Sequence, residues 1–396
     1  MNYIQLAKEK EELCIKIRRD LHKIPELELN LPKTVNYITN LLMKWNIEYD
    51  LLVNGNAIVA RVYGKKGDKC LAIRADMDAL PIIEETDLFY KSIHEGKMHA
   101  CGHDGHMAMA LVACKILSEN TDKFNGCVKF LFQPGEEIPG GAKLMIKEGC
   151  MKNPDVDYII GLHEGGLIDE LNTGEIGFKC GSLMASMDKF EITVHGKGGH
   201  GAHPEDCVDS IVIMSEIILG IQKIVSREVS PTSQAVISCC KINGGTTQNI
   251  IPDTVSVLGT ARALDEKTQD LIEKRLKEIS CKIAEAYKAT AEVNYKRYYP
   301  VLINDYMFTE DVFDIATSLF GKKYVKRINT PTMGGEDMSL FLKEVPGTYF
   351  MLTNLKTSSN GIRYPHHSSK FDVIEDEFYK GIAIFVAVAI NKLNIK

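Results

Sequence analysis

Nine consecutive residues, Met98-His-Ala-Cys-Gly-His-Asp-Gly-His106, carry three histidines, one cysteine and one aspartate. Thiolate and imidazole are soft to borderline donors that suit zinc and similar divalent ions. A Cys-x-His step on extended backbone sends both side chains to one side, so Cys101 and His103 can reach one ion or two neighbouring ions. The same stretch would also serve as a polar loop whose histidines cap the helix that follows. A second cluster, Gln133-Pro-Gly-Glu-Glu137, sets two carboxylates side by side directly after the apolar run 128–132. Neighbouring carboxylates repel one another unless a cation lies beside them, and if one ligates a metal the other is left as a general base. A solvated pair on a loop is the alternative. His163 and the pair His366-His367 fall at comparable places, and Asp76 and Asp78 in Arg74-Ala-Asp-Met-Asp78 extend the collection.

What must position these residues is an alternation of strands and helices. Apolar spacing predicts helices over 6–24 and 34–45, then strands over 57–63 and 70–74 separated by a turn at 64–68. Helices over 107–118 and 142–147 alternate with strands over 128–132 and 158–162, which implies an α/β layer with a largely parallel sheet. Each polar cluster then follows a strand or opens a loop at one sheet edge, where open α/β sheets bind ligands. From residue 186 the pattern changes: strand 189–195, helix 206–226, strands 235–242 and 254–263, helix 266–288 and strand 291–298. That βαββαβ order is the ferredoxin-like signature. The α/β character resumes with helix 308–320, a Gly-rich loop at 333–337, strand 348–353 and helix 375–393. The expected organisation is a catalytic domain in two parts, 1–185 and 299–396, interrupted by a ferredoxin-like domain at 186–298.

A chain of 396 residues with 45% hydrophobic and 25% charged residues can bury a sizeable core, which excludes disorder and fibrous classes. The net charge of −6 comes from charges spread along the chain, which argues against a nucleic-acid or anionic-membrane surface. The N-terminal stretch lacks an apolar secretory core, and the longest apolar run, 382–390, is about half of the ~20 residues a spanning helix needs. A cytoplasmic protein with reduced thiols is expected, the eleven cysteines being scattered without a disulfide pattern. The Walker, G-x-S-x-G and H-E-x-x-H patterns are absent, and Gly196-Lys-Gly-Gly-His-Gly201 lacks phosphate-loop spacing.

The runs Arg74-Ala-Asp-Met-Asp-Ala-Leu-Pro81, Met98–His106, Phe132-Gln-Pro-Gly-Glu-Glu137, Gly161-Leu-His163, Gly196-Lys-Gly-Gly-His-Gly-Ala202 and Gly244-Gly-Thr-Thr-Gln-Asn-Ile-Ile-Pro252 resemble the amidohydrolase branch of the aminoacylase/carboxypeptidase metallopeptidases. The likeness runs from about Arg19 to the last helix. It implies a phosphorylase/hydrolase-like catalytic domain and an inserted domain that acts as lid and dimerisation surface. It also implies a site of two divalent ions, zinc or manganese first, with cobalt or nickel also suited to these donors. Cys101, His103, Glu137, His163 and His367 would be the metal ligands, with Cys101 bridging. Glu136 would be the catalytic base and Asp76 an acidic support behind the ligands, with His366 the rival of His367. His200 would polarise the scissile carbonyl in the partner subunit's site. Asn249, together with Gly335 in the Gly-rich loop, would contact substrate.

The implied reaction is hydrolysis of an N-acyl amino acid to a carboxylic acid and a free amino acid, by a homodimer with no nucleic-acid or membrane partner. Deacetylation of N-acetyldiaminopimelate is an alternative within the same chemistry, and a non-catalytic metal-binding scaffold is one from another class. Three positions depart from the pattern of the branch: Gly135 stands where Ala is usual, Ser369 where Pro is usual, and Glu205 where His is common. Glu164-Gly-Gly166 after His163 is also unusual, and with Glu205 it bears on acyl-group preference.

Overall fold

The computed structural model describes residues 1–138, 140–358 and 361–394. The chain divides into two compact units. The first comprises Met1–Gly181, Ile303–Thr330 and Asp337–Lys396, and the second Ser182–Leu302 with Pro331–Glu336.

The first unit is built on an eight-stranded sheet. Its strands run in the order Glu48–Leu52, Ala57–Tyr63, Asn125–Gln133, Lys65–Asp76, Tyr158–Gly165, Gly347–Thr353, Ile176–Phe178 and Val325–Arg327. The four strands from Asn125–Gln133 to Gly347–Thr353 pair in parallel, and the first two join them antiparallel. Parallel strands covered on both faces need near-continuous apolar sequence. Gly347–Thr353 is buried throughout, and Asn125–Gln133 is buried after its first residue. The helices His103–Ser118 and Phe378–Asn394 pack on one another and are apolar on nearly every face, as fully covered helices are. The alternation expected from sequence is present, with one local difference. The predicted turn at 64–68 is absorbed into the strand Lys65–Asp76. Lys65 pairs with Asn125 and Cys70 with Cys127, so a bulge takes up the intervening charged residues at the exposed start of the strand.

The second unit carries a four-stranded antiparallel sheet in the order Ala235–Gly244, Thr254–Ala263, Met187–His195, Thr290–Tyr299. With helices Ser210–Lys223 and Glu266–Ala286 between them, the strands have the ferredoxin-like arrangement. Ile213, Met214, Ile217 and Ile221 of one helix and Ile272 and Leu276 of the other share a core with Phe190, Ile192, Val194, Val255 and Val257. The first of these helices begins later than its apolar spacing predicts because Asp209 caps it, accepting from the backbone N–H of Ile211 and Val212. No helix among the described residues is long and apolar enough to cross a membrane.

Candidate functional site

The parallel strands end together, and their carboxyl ends deliver the polar residues. Asp76 and Gln133 are register partners at the last positions of their strands, and His163 lies near the end of Tyr158–Gly165. Cys101 and His103 flank Gly102, whose φ of +87° turns the chain sharply into the helix His103–Ser118. A side chain at Gly102 would also meet Glu164, whose Cγ lies 2.9 Å from where a Cβ would stand. Glycine is therefore required there both by conformation and by contact.

Five of the sequence-predicted residues converge in the first unit, together with Glu136. Ligand atoms of Cys101, His103 and His163 lie within 4.8 Å of one another, as do those of Cys101, Glu137 and His367, and those of His103, Glu136 and Glu137. Cys101 Sγ is 3.5 Å from His163 Nε2, and Glu137 Oε1 is 3.4 Å from His367 Nε2. Each buried imidazole is aimed by a backbone carbonyl behind it. His103 Nδ1 donates to Asp78 O at 2.8 Å and His163 Nδ1 to Glu164 O at 2.8 Å, which leaves both Nε2 atoms facing the cluster. This is how proteins hold metal-ligating histidines. His103 Nε2 and Glu137 Oε1 are buried and make no hydrogen bond among the described residues. A buried imidazole nitrogen and a buried carboxylate oxygen left without partners, next to a thiol and further carboxylates, fit a divalent cation that would displace the imidazole proton, so this donor set suits such ions on its own chemistry.

Behind the donors lies a second layer, of which the sequence singled out Asp76 and Asp78 but not the residues they bind. The Asp78 carboxylate accepts the backbone N–H of Glu136 at Oδ1 (2.9 Å) and that of Glu137 at Oδ2 (3.0 Å), fixing the loop that carries both glutamates. Arg74, 2% exposed near the carboxyl end of its strand, donates to Asp76 Oδ2 and to Asp337 Oδ1, both at 2.7 Å, and to Gln133 Oε1 at 2.9 Å. Gln133 Nε2 and Ala142 N also donate to Asp337, so one buried carboxylate joins the glutamate loop to the loop that opens helix Met338–Glu344. His106 donates from Nδ1 to Asp76 Oδ1 at 2.6 Å and accepts the Glu164 N–H at Nε2 at 3.0 Å. Both nitrogens are thereby used, which removes His106 from the candidate ligands despite its place beside Asp76 and His103. Beyond the two aspartates, the signal for this layer was charge inside an apolar run, as at Arg74.

The electrostatics favour a cation. Burial, and then the negative charges of Glu137 and Glu136, push the Cys101 thiol well above its usual pKa, so a thiolate there needs positive charge beside it. Burial alone would lower His103, but Asp76, Asp78 and Glu137 hold it up at about 10. The same surroundings keep Asp76 well below the usual carboxylate range despite burial, through His103, Arg74 and His106. Burial drives His163 well below its usual value and keeps it neutral, the form that binds metal.

The remaining predicted residues have distinct placements. His367, on left-handed backbone with φ 65°, donates its N–H to Ala100 O at 2.8 Å and is half exposed. Its rival His366 turns the other way, donating from Nε2 to Glu164 O at 2.9 Å and packing on Phe371. Asp76 touches His106 and Arg74 and comes no nearer than 3.7 Å to His103. His200, Asn249 and Gly335 belong to the second unit. His200 is exposed and pairs with Ile250 on a short two-stranded ribbon, where Gly201 N donates to Asn249 O at 2.9 Å. A Cβ at Gly335 would lie 2.9 Å from that of Met187. Of the unusual positions, Glu205 is exposed and within 3.3 Å of His203, whereas Glu164 is buried, its Oε2 accepting from Asn354 Nδ2 at 2.8 Å.

Known proteins share this architecture along the whole chain. A thermostable carboxypeptidase 1 of Saccharolobus solfataricus is 38% identical over 98% of this chain and 97% of its own length. The hippurate hydrolase of Campylobacter jejuni is 37% identical over 89% of this chain and 90% of its own. The solved structure of Bacillus subtilis YXEP, described as a dinuclear metal binding peptidase, matches with a TM-score of 0.83 at 31% identity, covering 98% of this chain and 99% of that one. A sequence model of Peptidase family M20/M25/M40 matches residues 72–391, and it is to this family that the chain belongs.

Proposed function

We propose that this protein hydrolyses the amide bond of N-acyl amino acids, releasing a carboxylic acid and a free amino acid. The observation that supports the reading is the convergence of Cys101, His103, Glu137, His163 and His367 around buried, unbonded acceptor atoms, with Glu136 at their edge. In the proposal these five residues hold two divalent ions, zinc or manganese before cobalt or nickel. The named relatives fit one substrate class, because the C-terminal residue of a peptide and the glycine of hippurate are both acylated amino acids with a free carboxylate.

When bound, such ions act as Lewis acids that lower the pKa of water and polarise a carbonyl. The protein's own part starts with Glu136. Its carboxylate takes the proton of the attacking water and returns it to the amide nitrogen, which leaves as a neutral amine. Asp78 keeps that carboxylate in place through the backbone, and the 8% exposure of Glu136 limits competing solvent. Asp76 holds His106 and Arg74 behind the centre. In the proposal His200 donates to the developing oxyanion in the partner subunit's site, and Asn249 and Gly335 contact substrate.

We further infer a cytoplasmic homodimer joined through the second unit. In support, all eleven cysteines are free thiols, as a reducing compartment keeps them. Ala235–Gly244 is an edge strand with Ile242 exposed, and Ile211, Val212 and Leu219 are exposed on the helix Ser210–Lys223.

The test is release of free amine from a panel of acetyl, benzoyl and diaminopimelate derivatives, with single metals added back to stripped protein. Glu136→Gln should bind metal like the parent and turn over about 10²–10⁴-fold more slowly. Near-parental turnover in that variant would refute the role given to Glu136.

A further inference from the structure

The imidazole of His106 joins Asp76 to the backbone beside His163. Its Nε2 lies 3.0 Å from Glu164 N, an obligate donor, so that nitrogen carries a lone pair. Its Nδ1 lies 2.6 Å from Asp76 Oδ1, and the other oxygen of that carboxylate accepts from Arg74, so Nδ1 carries the proton. Two bonds therefore fix both the tautomer and the ring plane. The residue whose N–H reaches His106 offers its carbonyl to His163 Nδ1 at 2.8 Å and to His366 Nε2 at 2.9 Å. The rings are also in contact: His106 stands edge-on to His163 with centroids 4.7 Å apart, and is tilted against His103 at 5.4 Å. His106 itself is 2% exposed and belongs to the helix that His103 opens.

We infer that His106 is a positioning residue for one arm of the metal centre, holding the peptide between His163 and Glu164 so that His163, more than the other donors, keeps Nε2 on the cation. This rests on the proposed two-ion site. The inference separates His106 from an ordinary packing residue because its effect must pass through His163. Loss of its hydrogen bonds frees Glu164 N and loosens the His163–Glu164 peptide on which the imidazole of His163 is mounted, whereas the Glu164 carbonyl sits in the next peptide, whose Gly165 N–H is held by Asn354 Oδ1 at 2.7 Å. Cys101, Glu137 and His367 have no bond to the His163–Glu164 peptide and should keep their ion.

The test is a cobalt titration of metal-stripped protein, following the visible bands of Co²⁺ bound to sulfur and nitrogen donors. His106→Phe keeps the ring and removes both hydrogen bonds, and His106→Gln is the milder second variant should the first fail to fold. In His106→Phe one Co²⁺ should bind as in the parent and the other should weaken about 10–100-fold, the usual cost of losing a partner behind a metal ligand. His106→Gln should fall between the two. Added to His163→Ala, His106→Phe should cause little further loss, because both changes remove the same arm. Parental affinities in His106→Phe, equal weakening of both ions, or full additivity with His163→Ala would each overturn the assignment. A parent protein that takes up no cobalt would instead overturn the metal-site reading on which the inference rests.

Discussion

Removal of the Asp78 carboxylate is the sharpest test of how the glutamate loop is held. Asp78 is fully buried, and its two oxygens accept the amides of Glu136 at 2.9 Å and Glu137 at 3.0 Å. A hydrogen bond to a charged group contributes about 1.5–3 kcal/mol, so the pair holds the loop by about 3–6 kcal/mol. Asp78→Asn keeps one acceptor and turns an amide donor toward the other N–H, forfeiting about 1.5–3 kcal/mol. At 1.36 kcal/mol per tenfold, kcat/KM should fall about 10–150-fold. Asp78→Ala forfeits both bonds and should lower it by about 10²–10⁴-fold. At saturating metal the loss should appear mainly in kcat, since the base and the neighbouring Glu137 are displaced together while Cys101, His103, His163 and His367 stay. Steady-state amine release at saturating metal, with metal content measured on the same samples, reads this out. Asp78→Ala within threefold of the parent would show that the loop is held by something else.

Other expectations follow from the same contacts. A Cβ at Gly105 would lie 1.9 Å from Glu164 Oε1, and Glu164 is tied to Asn354, so Gly105→Ala should cost about 1–3 kcal/mol; an unchanged thermal midpoint would contradict the packing. Saturating Zn²⁺ at about 100 times its Kd should stabilise stripped parent protein by about 2.7 kcal/mol, and Cys101→Ser should show clearly less at the same concentration by calorimetry. Burial pushes His99 down to about 3 and His366 to about 4, so both stay neutral in the fold while the unfolded chain protonates them near 6.5. Their contribution is whole above 6.5 and is lost as pH falls toward 4 and 3, because the unfolded state then binds more protons. From pH 7 to pH 5 urea unfolding should lose about 2 kcal/mol for His99, and His99→Gln should flatten that slope.

The chain's periodicities and motifs were enough to anticipate the alternation, the parallel sheet and the residues that meet at its edge. Strand ends could be located because parallel strands need unbroken apolar runs, and His163 and Glu136 each follow one. The supporting layer was hidden for a physical reason. Asp78 binds the backbone N–H groups of Glu136 and Glu137, and His106, His163 and His366 bind the backbone of Glu164, and a backbone partner leaves no mark on residue type. Arg74 was nearer to being readable, since a guanidinium inside an apolar strand must find carboxylates, but its second partner, Asp337, lies 263 residues further on. The start of Lys65–Asp76 was misread because Gly and Lys at 64–67 look like a turn, and only pairing with Asn125 shows them to be strand.

The strand Tyr158–Gly165 takes Gly347–Thr353 as its neighbour, with His163 paired to Met351. On a ribosome adding about 5–20 residues each second, the first of these strands waits roughly 10–40 s for the second. During that interval one edge of the growing sheet is bare and apolar, and His367 has yet to emerge. The second unit, whose sheet pairs almost wholly within Ser182–Leu302, can close in the meantime. Nascent chains stalled before residue 347 should therefore lean on chaperones that shield strand edges, and should not hold both metal ions until synthesis has passed His367.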